Sequence, residues 1–118
     1  MIKFKNIDHI DITMDKYEVQ PELIMLEEGE VEQENIYSNL LKSNCLVTGQ
    51  PDFASIFISY TGKKINHASL LKYIISFRNH IEFHEQCVER IFSDIMNIAA
   101  PHELMVQAKY MRRGGIDM

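Results

Sequence analysis

The hydrophobic period switches along this chain from two to 3.6 and back to two near its end, and that switching restricts the fold class more than any other feature. Phe53-Ala54-Ser55-Ile56-Phe57-Ile58-Ser59-Tyr60 is rich in aromatic and β-branched residues and predicts a strand. Ahead of it, Thr48-Gly49-Gln50-Pro51-Asp52 is dense turn chemistry. Residues 34–47 mix Ile36, Tyr37, Leu40, Leu41, Leu46 and Val47 with polar positions, without a cap, Gly or Pro, and predict the other strand of a hairpin. Thr61-Gly62-Lys63-Lys64 closes the second strand. Asn66 then suits the N-cap of a helix carrying Leu70, Leu71, Ile74, Ile75 and Phe77.

Asn79 and Glu82 resemble a capping box for the longest helix, whose face Ile81, His84, Val88, Ile91, Ile95 and Ile98 stays apolar up to Pro101. Leu104, Val106, Ala108 and Tyr110 alternate with Met105, Gln107, Lys109 and Met111, a last strand running into Arg112-Arg113-Gly114-Gly115. The order ββααβ predicts an antiparallel sheet with two helices layered on one face, an α+β architecture.

At 118 residues the chain has the size of one domain, 1–118, divided into an acidic strand or connector over 1–34 and the remainder over 35–118. Residues 1–34 hold ten carboxylates, and the run Glu27-Glu28-Gly29-Glu30-Val31-Glu32-Gln33-Glu34 reads as a solvated acidic surface. No apolar run approaches the roughly 18 residues of a membrane span, and the start lacks a signal peptide's apolar stretch, so a cytoplasmic location with no membrane contact is expected. Residues 1–59 hold 4 Lys/Arg against 11 Asp/Glu, and residues 60–118 hold 8 against 6. Lys109, Arg112 and Arg113 are the one basic cluster, which fits a small anionic ligand better than direct nucleic-acid binding.

Two cysteines are too few for a disulfide framework, so Cys45 and Cys87 are read as thiols. A hairpin brings Cys45, at the end of one strand, opposite Asp52, at the start of the next. A thiolate is a strong nucleophile and a carboxyl group can deliver a proton, although a buried thiol and a turn-forming Asp are the plainer alternatives. Glu85, in the first turn of the long helix, either stabilises the helix start or offers two parallel acceptors to a guanine-like ring. His84 beside it lies on the apolar stripe. His80, His84 and Cys87 fall at i, i+4 and i+7 on one helical face, and with Cys45 as a fourth ligand they make a set that tetrahedral zinc accepts. Arg113 and Gly114 could cradle a phosphate.

Three stretches in order carry a resemblance over residues 8 to 117: Ser43-Asn44-Cys45-Leu46-Val47-Thr48-Gly49-Gln50-Pro51-Asp52, then Ser76 to Ile91 around Phe83-His84-Glu85-Gln86-Cys87, then Tyr110-Met111-Arg112-Arg113-Gly114-Gly115-Ile116-Asp117. Together they resemble the 7-cyano-7-deazaguanine reductases, the NADPH-dependent nitrile reductases of queuosine biosynthesis. The resemblance implies that Cys45 attacks the nitrile carbon to form a thioimide and that Asp52 protonates the nitrile nitrogen. It implies that His84 and Glu85 hold the deazaguanine, that Arg113 and Gly114 contact NADPH, and that no metal takes part. The implied fold is the tunnelling fold (T-fold) shared with GTP cyclohydrolase I, assembled from several modules.

Single-module members carry a cofactor motif, Glu-Ser-Lys-Ser-x-Lys-Leu-Tyr, where this chain reads Asn66-His67-Ala68-Ser69-Leu70-Leu71-Lys72-Tyr73. The chain therefore resembles the C-terminal half of the two-module type, expected to work with an N-terminal module or with further copies of itself as a homo-oligomer. Two alternatives stand beside this expectation: a zinc-bearing purine or pterin enzyme with metal on Cys45, Cys87 and a histidine, and a non-catalytic T-fold module.

Overall fold

The computed structural model describes residues 3–111, and its backbone is organised by one long hairpin. Strands β2 (Leu26–Asn44) and β3 (Pro51–Ile65) pair antiparallel, and β4 (Glu103–Tyr110) pairs antiparallel with the far edge of β3. A two-residue strand, β1 (Lys5–Asn6), runs parallel to β2 at the opposite edge, so the sheet order is β1-β2-β3-β4. Helices α1 (His67–Ile75) and α2 (His84–Ala99) connect β3 to β4. The architecture is α+β, with a four-stranded sheet and two helices. No helix among the described residues is long and apolar enough to cross a membrane.

The period-two pattern of β3 puts Asp52, Ala54, Ile56, Ile58 and Tyr60 on one buried face. Leu104, Val106, Ala108 and Tyr110 of β4 lie opposite Tyr60, Ile58, Ile56 and Ala54 and extend that face. Leu70, Leu71, Ile74 and Phe77 from the first helical segment and Cys87, Ile91 and Ile95 from α2 join the same core. Tyr73 and Phe77 meet edge to face at 5.3 Å. The buried Tyr60 hydroxyl donates to Glu34 at 2.7 Å and accepts from the Ile65 amide at 2.9 Å, so burial leaves it satisfied.

Two expectations need correction. The strand expected over 34–47 runs instead from Leu26 to Asn44 and takes in the acidic stretch, where lysines across the hairpin offset its charge. Glu30 lies opposite Lys63, and Glu27 reaches Lys64 at 3.6 Å. Within residues 1–34, expected as a strand or connector, Ile10 and Ile12 lie in an irregular segment that packs against the core. Asn79 caps no helix. Residues Ser76–Asn79 form a 3₁₀ turn, and the chain then runs extended to Phe83, because Asn44 at the end of β2 donates to the His80 carbonyl at 2.7 Å and accepts from the Glu82 amide at 3.2 Å. Glu82, freed from capping, accepts from Arg90 Nε at 3.0 Å and Nη2 at 2.9 Å and meets His80 Nε2 at 2.7 Å.

The expected cap at Asn66 is present, its side chain accepting from the Ser69 amide at 2.8 Å. At its other end, α2 finishes on Ala100 in the left-handed region, with φ 46°, and Pro101 prevents continuation.

Gly62 has φ +133°, and a Cβ there would lie 3.3 Å from the Pro101 Cα and 3.5 Å from the His102 nitrogen, both backbone. Gly62→Ala is therefore expected to destabilise the chain by about 1–3 kcal/mol. Gly29→Ala, at φ +101° with nothing within 4 Å of the new methyl, should cost only about 1 kcal/mol. Urea unfolding midpoints for the two variants check the difference.

Candidate functional site

Asp52 is the second residue of β3 and lies directly opposite Ser43 of β2. Its position on the inward face leaves the side chain 3% exposed. The carboxylate's Oδ2 approaches His84 Nε2 at 2.9 Å. His84 opens α2, and Glu85 follows in the same first turn, exposed, where the helix dipole favours a carboxylate.

One face of the His84 imidazole lies flat on the Tyr110 ring, with centroids 3.7 Å apart and planes within 2°. His84, Glu85 and Tyr110 share an open cleft of about 390 Å³ walled by Val88, Val106 and Ala108 between α2 and β4. An apolar wall with a carboxylate at its rim suits a flat heterocycle presenting N–H donors.

Cys45 follows β2 directly and is half-buried. Its amide donates to the Gln50 carbonyl at 2.8 Å and its carbonyl accepts from Gly49 at 2.8 Å, which closes the 45–50 loop on itself. Gly49 sits at φ +74°, a conformation that favours glycine. Cys45 enters the neighbourhood of the helix start through its chain neighbour, since Asn44 holds both His80 and Glu82 by backbone hydrogen bonds. The structure thus joins Asp52 to His84 side chain to side chain, sets Glu85 in the same cleft as His84, and tethers the Cys45 loop to the segment leading into α2. Arg113 and Gly114 lie outside the described residues.

A family model described as QueF-like protein matches residues 51–118, more than half of the chain and including Asp52, His84 and Glu85. The chain belongs to the QueF-like family. Its match to a Dechloromonas aromatica protein named NADPH-dependent 7-cyano-7-deazaguanine reductase is 59% identical over 112 residues, covering 95% of this chain and 40% of that protein. Proteins of the same name from Buchnera aphidicola and Legionella pneumophila are 57% and 56% identical, with 95% of this chain matched to 43% and 39% of theirs. The chain spans about two fifths of the length of the curated relatives it matches.

Within this family member the zinc arrangement read from the spacing does not form. His80 lies ahead of α2 on extended backbone and bonds Glu82, while His84 turns to Asp52, so the two share no helical face. No group of three or more His, Cys, Asp or Glu among the described residues is placed to hold a metal ion.

Two residues of the site are given no role by the sequence, although each opens one of the resembling stretches. Tyr110 supplies the flat surface under His84, and Ser43 is fully buried opposite Asp52. The Tyr110 hydroxyl and Ser43 lie beside the Cys87 thiol. Burial pushes that thiol up to about 11, an effect the two hydroxyl neighbours only partly offset.

Cys87 is therefore a neutral packing thiol at physiological pH. Iodoacetamide at pH 8 should label Cys45 in the folded chain and reach Cys87 only after denaturation, which peptide mass mapping reads out. Because the folded-state value lies above the ordinary 9.0, the unfolded chain loses this proton first. Stability should fall as pH rises from about 9 to 11, and Cys87→Ala should flatten that decline in alkaline unfolding titrations.

Proposed function

We propose that the chain is the substrate-binding, nucleophile-bearing C-terminal half of an NADPH-dependent 7-cyano-7-deazaguanine reductase. It would be a T-fold module working in the cytoplasm in queuosine biosynthesis. The observation that carries this reading is the buried Asp52 carboxylate held 2.9 Å from His84 at the helix start that also presents Glu85, in a chain 59% identical to a protein of that name.

Glu85 accepts two parallel N–H bonds from the deazaguanine ring, which lies in the apolar cleft beside His84. Cys45 Sγ forms a bond to the nitrile carbon as one C≡N π bond breaks. The nitrile nitrogen takes the proton that the Asp52–His84 pair holds, and the sulfur's own proton leaves to solvent, so the product is a protonated-nitrogen thioimide. Covalent attack converts a poor electron acceptor into a better one.

NADPH, when bound, supplies the reducing equivalents that take the thioimide to the amine. Among the described residues the cleft between α2 and β4 is lined by His84, Glu85, Gln107, Tyr110 and apolar side chains, which fits a neutral ring. Arg113 and Gly114, together with groups of an N-terminal module or of other copies in a homo-oligomer, complete the cofactor site in this reading. Residues 66–73, where single-module relatives carry their cofactor motif, are instead the capped start of α1.

Incubation with 7-cyano-7-deazaguanine should add the mass of one substrate molecule to the intact chain. Cys45→Ala should abolish the adduct, and Glu85→Gln should weaken substrate binding by about 10- to 100-fold through loss of a charge-assisted pair. No adduct on the unsubstituted chain would overturn the assignment. Residues 1–118 by themselves should consume no NADPH with the nitrile; steady turnover would place the whole cofactor site in this chain.

A further inference from the structure

We propose that Tyr110 is a positioning residue for this chemistry: its ring, laid flat on the imidazole, sets the plane in which His84 Nε2 meets Asp52. The inference rests on the reading of Asp52 and His84 as the proton-handling pair. It adds a residue whose contribution passes through the orientation of His84.

The geometry has three parts. The first is contact. At 3.7 Å between centroids and 2° between planes, the two rings are in van der Waals contact over their faces. His84 is 40% exposed at its side chain, and the terminal torsion of a histidine is broad, so a partly solvated ring on a first helical turn needs a surface to define its plane. The second is that the surface is itself held. Tyr110 ends β4 opposite Ala54, the next residue's amide donates to the Phe53 carbonyl at 2.8 Å, and the buried hydroxyl sits beside the Cys87 thiol and Ser43. The ring is therefore held through its backbone end, while its buried hydroxyl has no hydrogen-bond partner among the described residues and leaves the anchoring to the strand.

The third part is direction. Asp52 meets the imidazole at its Nε2 edge while Tyr110 covers a face, so rotation about the terminal torsion breaks the 2.9 Å approach and the stack together. Proton transfer depends on such alignment, and small misplacements of a donor cost rate steeply. Tyr110 thus couples strand β4 to the acid on β3 through a histidine on α2. It also explains why an aromatic ring occupies the last inward position of β4, where the preceding inward residues are Leu104, Val106 and Ala108.

The test compares Tyr110→Phe with Tyr110→Leu in the full chain by two independent readouts. Imidazole NMR with pH titration reports His84 directly. Tyr110→Phe should keep the upfield ring-current shift of the His84 ring protons, and Tyr110→Leu should lose it and alter the His84 titration curve. Intact-mass kinetics with 7-cyano-7-deazaguanine should give adduct formation within about twofold of the unsubstituted rate for Tyr110→Phe and slowed about tenfold for Tyr110→Leu.

In a His84→Ala background Tyr110→Leu should cost nothing further, since its effect passes through His84. An undiminished adduct rate in Tyr110→Leu, an unmoved His84 titration, or additive losses in the double variant would each overturn the proposal. If Tyr110→Leu does not fold, Tyr110→Met takes its place with the same expectations. Absence of adduct on the unsubstituted chain would sink the Cys45 assignment instead, and the His84 titration would still decide the role of Tyr110.

Discussion

The register of the β2–β3 hairpin is the constraint on which the rest of the molecule depends. Because side chains alternate with a period of two, the pairing of Ser43 with Asp52 places that carboxylate on the same face as Ala54, Ile56, Ile58 and Tyr60. A slip of one residue would send Asp52 to solvent and drive Phe53 and Phe57 into the helix-covered core. The burial of a full row of β3 side chains opposes such a slip, and the closed Cys45–Gln50 loop holds the hairpin end at one length. The acid in the core is thus maintained by the hydrophobic side chains behind it.

A second constraint acts on the helix. The sequence offers a start at Asn79, but α2 begins at His84, because the four residues before it are extended and two of their backbone groups bond Asn44. That delay decides the site. A helix continuous from Asn79 would carry His80 and His84 on one face and favour metal ligation. The shorter helix separates them, gives His80 to Glu82, and turns His84 to Asp52. The start of one helix thus decides which side chains His80 and His84 meet, and the end of β2 sets that start.

Charge is arranged with comparable economy. The carboxylates of the distal hairpin are solvated or lie across from Lys63 and Lys64. Glu34 departs from this pattern: it accepts from Tyr60 at 2.7 Å and approaches His67 at 2.9 Å, tying the sheet to the start of α1. A run that composition assigns to the surface therefore contains one half-buried carboxylate, which satisfies the buried Tyr60 hydroxyl.

Local sequence determined the element types. The alternation of 53–60 and 104–111, the turn residues 48–52, the Asn66 cap and the apolar face of α2 are all short-range signals, and each depends on backbone preference or periodicity that a neighbour a few residues away can satisfy. It also supplied the residue types at Cys45, Asp52, His84 and Glu85 in their order. Only the tertiary structure decided that Asp52 meets His84, that Tyr110 lies beneath the imidazole, that the acidic run is a strand, and that the long helix starts five residues after Asn79. Each of these depends on a partner distant in the chain, Asn44 for the helix start, β4 for the stack and Lys63 with Lys64 for the acidic strand, and no local propensity records where such a partner will be.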